Sequence, residues 1–117
     1  MELVALLSTG EGTWAQVAGL IKQGDWEKII LIGNDFAKKF QVDSNVSCEF
    51  IEIKSNRLVE LKEEIMSKLR GKINGTEVAL SIASGDGKEH MALISALLSL
   101  PAGVRFTALT KDGIVML

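Results

Sequence analysis

Val78-Ala79-Leu80-Ser81-Ile82-Ala83-Ser84-Gly85-Asp86-Gly87-Lys88 passes from an apolar run of strand length, through a glycine turn, into a segment with helical patterning. A shorter stretch, Thr9-Gly10-Glu11-Gly12-Thr13, nearly repeats the turn. It too follows an apolar run, Leu3 to Leu7, and precedes a helical pattern. A glycine-rich turn at that junction lets the backbone approach a ligand closely. It also aims the unbonded N–H groups of the helix start outward.

Outward from these two units the chain keeps alternating strand and helix. Trp14, Val17, Ala18 and Ile21 recur at helical spacing, and Gly24 ends that helix. Lys28 to Ile32 is a second aliphatic strand that closes on Gly33-Asn34-Asp35, and a short polar helix over Asp35 to Phe40 follows. Cys48 to Ile53 alternates more and reads as an edge strand. Ser55 or Asn56 caps the next helix, whose apolar stripe is Leu58, Leu61, Ile65, Met66 and Leu69. Asn74-Gly75 is a turn, Val78 to Ala83 the fourth strand, and a helix runs from about Lys88 to Leu100, stopped by Pro101 and Gly103. Val104 to Leu109 and Ile114 to Leu117 are strands joined at Lys111-Asp112-Gly113, the last one antiparallel.

This alternation implies a mostly parallel sheet with helices on both faces, joined by right-handed crossovers. The expected fold is α/β, a Rossmann-like three-layer sandwich with strand order 3-2-1-4-5-6, and residues 1–117 read as a single domain. In such sheets ligands bind at the carboxyl ends of the strands, where the winding reverses. Here the reversal falls between strands one and four, so the two glycine loops open onto one crevice.

The 117 residues carry a formal net charge of −2, which argues against a nucleic-acid duplex as partner, since that needs a dense Lys/Arg face. No apolar run is long enough to span a bilayer, and Met1-Glu2-Leu3 lacks the charged start of a signal peptide. The one cysteine, Cys48, cannot pair internally, and its apolar neighbours suggest a buried thiol. These features point to the cytoplasm. One histidine and one cysteine far apart offer no metal-ligand cluster, and no cofactor is indicated.

The candidate ligand-binding residues are Thr9, Gly10, Glu11, Gly12, Thr13, Asn34, Ser84, Gly85, Asp86, Gly87 and Lys88. Small hydroxyls (Ser8, Thr9, Thr13, Ser84), glycine N–H groups and Lys88 suit an anion such as phosphate, and each helix start adds a fractional positive charge. Neither loop has the glycine spacing of a dinucleotide fingerprint or the Gly-Lys-Ser/Thr of a P-loop. Glu11 and Asp86 fit helix capping; the sharper role is to accept ribose hydroxyls or orient water, which would make the ligand a nucleotide. His90, on the helical face of Asp86, is either a packing residue or an acid–base group. Trp14 and Trp26 fit packing, with Trp14 close enough in sequence to reach the crevice.

Met91-Ala92-Leu93-Ile94-Ser95-Ala96-Leu97-Leu98-Ser99-Leu100 is apolar nearly all round. Either other elements of the chain cover its outer side, or a second copy does, in a symmetric homodimer.

Ser84-Gly85-Asp86-Gly87-Lys88-Glu89-His90-Met91, between an aliphatic strand and an Ala/Leu-rich helix, resembles one motif of the CRISPR-associated Rossmann fold (CARF) family. Ser8-Thr9-Gly10 is similar to that family's other ligand loop. The resemblance implies a homodimeric sensor of antiviral defence that binds a cyclic oligoadenylate, or another nucleotide, across the dimer. Thr9, Gly10 and Thr13 would then hold phosphates from one loop, and Ser84, Gly85, Gly87 and Lys88 from the other. Some members cleave the ring, the ribose 2′-hydroxyl attacking the neighbouring phosphodiester. Ser8, Thr9 and Lys88 are the candidate catalytic residues for that reaction. A third possibility is a protein-interaction module whose glycine loops are merely turns.

Overall fold

β1 (Glu2–Leu7) is buried at every residue. Only a strand in the middle of a sheet with both faces covered can hide such a run. The computed structural model describes residues 1–117, except for the side chain of Glu11, and places β1 third in a six-stranded sheet. The other elements are α1 (Trp14–Gln23), β2 (Ile29–Gly33), β3 (Cys48–Glu52), α2 (Leu58–Leu69), β4 (Glu77–Ser81), α3 (Gly87–Ser99), β5 (Gly103–Thr110) and β6 (Gly113–Met116). Short 3-10 turns occupy Glu11–Thr13 and Asp35–Lys39.

The strand order is β3-β2-β1-β4-β5-β6, parallel except for the last pair. Alternation along the strands divides the core in two. Val4, Leu6, Ile30, Ile32 and Leu80 face α2 and α3, while Leu3, Ala5, Leu7, Ile29 and Leu31 pack with Val17, Leu20 and Ile21 of α1. The expected α/β Rossmann-like sandwich is therefore the observed one. No helix is long and apolar enough to cross a membrane.

Local details differ from the sequence reading where tertiary contacts override local signals. The helix cap before α2 is not Ser55 or Asn56 but Arg57, with no side-chain cap bond. The N–H groups of Lys54 and Ser55 are instead tied to Glu64, inside the helix itself. Leu58 is exposed, because α2 meets the core only from Leu61 onward. Cys48 is exposed rather than buried, since it opens β3 at the sheet edge, bordering a cleft between Phe50 and the Phe40–Val42 segment. The expected edge position of β3 holds. The turn falls at Arg70–Lys72 rather than at Asn74-Gly75, which leads into a bend before β4 with both N–H groups donating to the buried Glu2 carboxylate at 2.9 and 2.8 Å.

β2 ends where the backbone passes close to its neighbours. A Cβ on Gly33 would sit 2.5 Å from the Ala37 Cβ and 2.7 Å from the Leu7 carbonyl oxygen, a backbone atom that cannot swing aside. Gly33→Ala should therefore lower stability by about 1–3 kcal/mol, the usual cost of overpacking. Thermal unfolding checks this, and an unchanged Tm would show that the Gly33–Ala37 turn relaxes freely.

Candidate functional site

α1 and α3 leave neighbouring strands toward opposite faces of the sheet, so the chain parts above the ends of β1 and β4. The two loops remain joined at their roots, where the Ser8 N–H donates to the Ser84 hydroxyl at 2.8 Å. Beside this contact lies a crevice of about 400 Å³. Its lining joins Ser8 and Thr9 after β1, Asn34 after β2, and Gly85, Asp86, Lys88 and Glu89 at the start of α3. Residues nearly eighty positions apart do converge, at the reversal of winding.

Each loop has a local reason for its shape. Gly85 adopts φ +110°, a left-handed conformation open to glycine, and an added Cβ would run into the Leu6 side chain. The His90 Nε2 donates to the Ser84 carbonyl at 2.9 Å, which fixes the tautomer, since a carbonyl only accepts. His90 thus braces the turn. The Asp86 carboxylate accepts the Glu89 N–H at 2.8 Å and the Glu89 carboxylate accepts the Asp86 N–H at 2.9 Å, a reciprocal capping box. The capping role of Asp86 is observed. In the first loop the Ser8 hydroxyl accepts the Gly10 N–H at 3.1 Å and the Thr13 hydroxyl donates to the Gly10 carbonyl at 3.0 Å.

These bonds sort the candidates. Thr9, Asn34, Gly85, Asp86 and Lys88 line the crevice, as does Ser8. Gly10, Gly12, Thr13 and Gly87 do not, because the first loop closes on itself and Gly87 is already the first residue of α3. Ser84 is fully buried; its hydroxyl serves the neighbouring loop rather than the opening. The side chain of Glu11 lies outside the described residues. Trp14 does not reach the crevice. Its indole N–H donates to the Ser8 carbonyl at 2.9 Å, and its ring packs on Phe36 and Phe40 at centroid distances of 5.7 and 5.9 Å. Trp26 is buried, bonded to the Leu20 carbonyl at 2.7 Å. The turn between β5 and β6 shares this sheet edge but closes through Thr110 and is not in the lining.

The sequence reading missed one whole wall. Ile53, Lys54, Ser55 and Asn56 after β3, with Leu61 of α2, complete the lining. Lys88 Nζ reaches over to the Asn56 carbonyl. The signal was present, in a polar Lys-Ser-Asn segment following a strand that ends at the same sheet edge. Ile53 and Leu61 supply an apolar patch, Lys88 supplies an ammonium group, and Lys54 lines the same wall. Neither lysine forms an ion pair among the described residues. Both carboxylates of the lining, Asp86 and Glu89, are occupied by helix-start N–H groups. Among the described residues no group of three or more His, Cys, Asp and Glu side chains converges.

No protein-family model and no curated protein matches the sequence. The crystal structure of protein VC1899 from Vibrio cholerae is similar in fold, with a TM-score of 0.60 at 17% identity. The similarity covers 99% of this chain and 33% of that one, so the chain spans about a third of the length of that structure.

Two outcomes follow for stability. Ser84→Ala leaves the Ser8 N–H without its partner and should cost about 1–3 kcal/mol in denaturant unfolding; no loss would mean that the loops do not depend on this bond. Burial of Glu64 opposes its ionisation, but the Lys68 ammonium and the N–H groups of Ser55 and Lys54 outweigh this, lowering its pKa from 4.5 to about 2. Stability from such a depressed group is complete above 4.5 and lost as pH falls toward 2. Glu64→Gln should thus lower Tm at pH 7, with the gap from wild type closing through that acid range. A gap that does not change with pH would contradict the assignment.

Proposed function

We propose that this chain is a nucleotide-sensing domain whose crevice holds a cyclic oligoadenylate or related nucleotide, as the resemblance to the CARF family implies. The observation that carries the reading is the convergence of Ser8 and Thr9 from one loop with Gly85, Asp86 and the Lys88 ammonium from the other on one crevice at the winding reversal. An ammonium and free N–H groups at a helix start favour phosphate oxygens. Ile53 and Leu61 offer apolar contact for a base or ribose. About 400 Å³ suits a ligand of one nucleotide unit.

A ring of several units exceeds one crevice and calls for a second copy of the chain. The exposed Met91 lies one helical turn below Gly87, and Leu98 continues the same face of α3. Pairing through that face would bring two crevices together. With Ser8, Thr9 and Lys88 in one lining, ring cleavage at the same site is the alternative reading.

Calorimetry with cyclic tri- and tetra-adenylate, alongside AMP and ATP, tests the reading. Binding of a cyclic ligand that falls at least tenfold in Lys88→Ala, without change in Tm, is the expected result. Baseline heats for every nucleotide would overturn it. Chromatography of the recovered ligand separates sensing from cleavage, since a sensor returns the ring intact.

A further inference from the structure

The wall between β3 and α2 is held from both sides by residues distant in sequence. Behind it, the Glu64 carboxylate accepts the Lys54 N–H at 3.0 Å on each oxygen and the Ser55 N–H at 2.9 Å. Lys68 locks that carboxylate at 2.8 Å and donates as well to the Glu52 carbonyl at 2.7 Å. In front, Lys88 of α3 crosses the crevice to the Asn56 carbonyl. Arg57, the next residue, is the cap position of α2 and has no side-chain cap bond of its own. The helix then opens on Leu58 and Val59, both exposed.

We infer that Lys54–Asn56 is a wall set in place by Glu64 and latched by Lys88, so that an anion drawing Lys88 away from the Asn56 carbonyl transmits occupancy to the first turn of α2. The inference rests on the anion-binding reading of the crevice and adds its regulation. The bond to a carbonyl is charge-assisted on the donor side alone, whereas a phosphate oxygen adds the acceptor's charge and makes the stronger bond. Exchange of partner therefore favours the ligand. Once released, the Asn56 carbonyl loses its bond to the ammonium, and the change adjoins the start of α2, which has no side-chain cap bond. Glu64 has no contact with the ligand in this scheme and is a positioning residue. It keeps Lys54 and Asn56 at the opening while the front bond is exchanged.

The test is solution NMR of the whole chain, first without ligand. Glu64→Gln should speed amide exchange at Lys54 and Ser55 about tenfold or more, while β1 and β4 amides stay protected and report an intact fold. Lys88→Met should move the Asn56 carbonyl carbon upfield without changing exchange at Lys54 and Ser55. Unchanged exchange in the first variant, or an unmoved carbonyl in the second, overturns the wall or the latch respectively. Cyclic tetra-adenylate is then added to the wild-type protein. The Asn56 carbonyl should shift in the direction seen for Lys88→Met, and the Leu58 and Val59 amides should follow. Affinity should fall about tenfold in Glu64→Gln. Binding that moves the Gly85 and Asp86 signals but leaves Asn56 in place overturns the coupling. No binding at all overturns the nucleotide reading and the coupling with it, whereas the ligand-free variants still decide the wall and latch.

Discussion

β1 pairs with β2 on one side and β4 on the other, and the chain leaving β1 turns to the opposite face of the sheet from the chain leaving β4. Two segments departing in opposite directions from adjacent strands must open a slot between them. The Ser8 N–H bonded to the Ser84 hydroxyl sets how far the slot opens at its base. Everything else at the site elaborates this constraint. Gly85 takes the left-handed turn that lets α3 start beside Leu6, His90 holds the Ser84 carbonyl, and Asn34 caps the turn that borders the slot from β2.

The charge pattern follows from the same geometry. A chain of net charge −2 does not attract anions as a whole, and two of the crevice residues are carboxylates. Both cap the start of α3, since Asp86 and Glu89 exchange hydrogen bonds with each other's backbone. Their charges favour the helix start, where the dipole is positive. Lys54 and Lys88 line different walls, and the Lys88 ammonium donates to a neutral carbonyl. Two lysines thus share the described lining with two carboxylates that are engaged with the helix start.

Much of this was legible in the sequence because it depends on local patterns. Continuous aliphatic strands, glycine turns and the helical spacing of Val17, Leu61 and Leu93 settle the layers and strand order. Given that order, the position of the crevice follows. What escaped was decided by side chains acting over distance. Ser55 and Asn56 look like helix caps, yet Glu64 claims the backbone there and turns the segment into a wall. Ser84 looks like a ligand hydroxyl, yet its partner is a backbone N–H 76 residues away. Cys48 sits among apolar neighbours in sequence, but it opens the edge strand and is exposed there. Local composition does not reveal which of two eligible partners a polar group will choose.

Mapping the bound ligand on the chain is the most direct test of the account. In a titration of isotopically labelled protein with cyclic tetra-adenylate, amide shifts should concentrate at Ser8, Thr9, Asn34, Gly85, Asp86 and Lys88. Shifts gathered instead around Phe40, Val42 and Phe50, on the other face of the sheet, would contradict it.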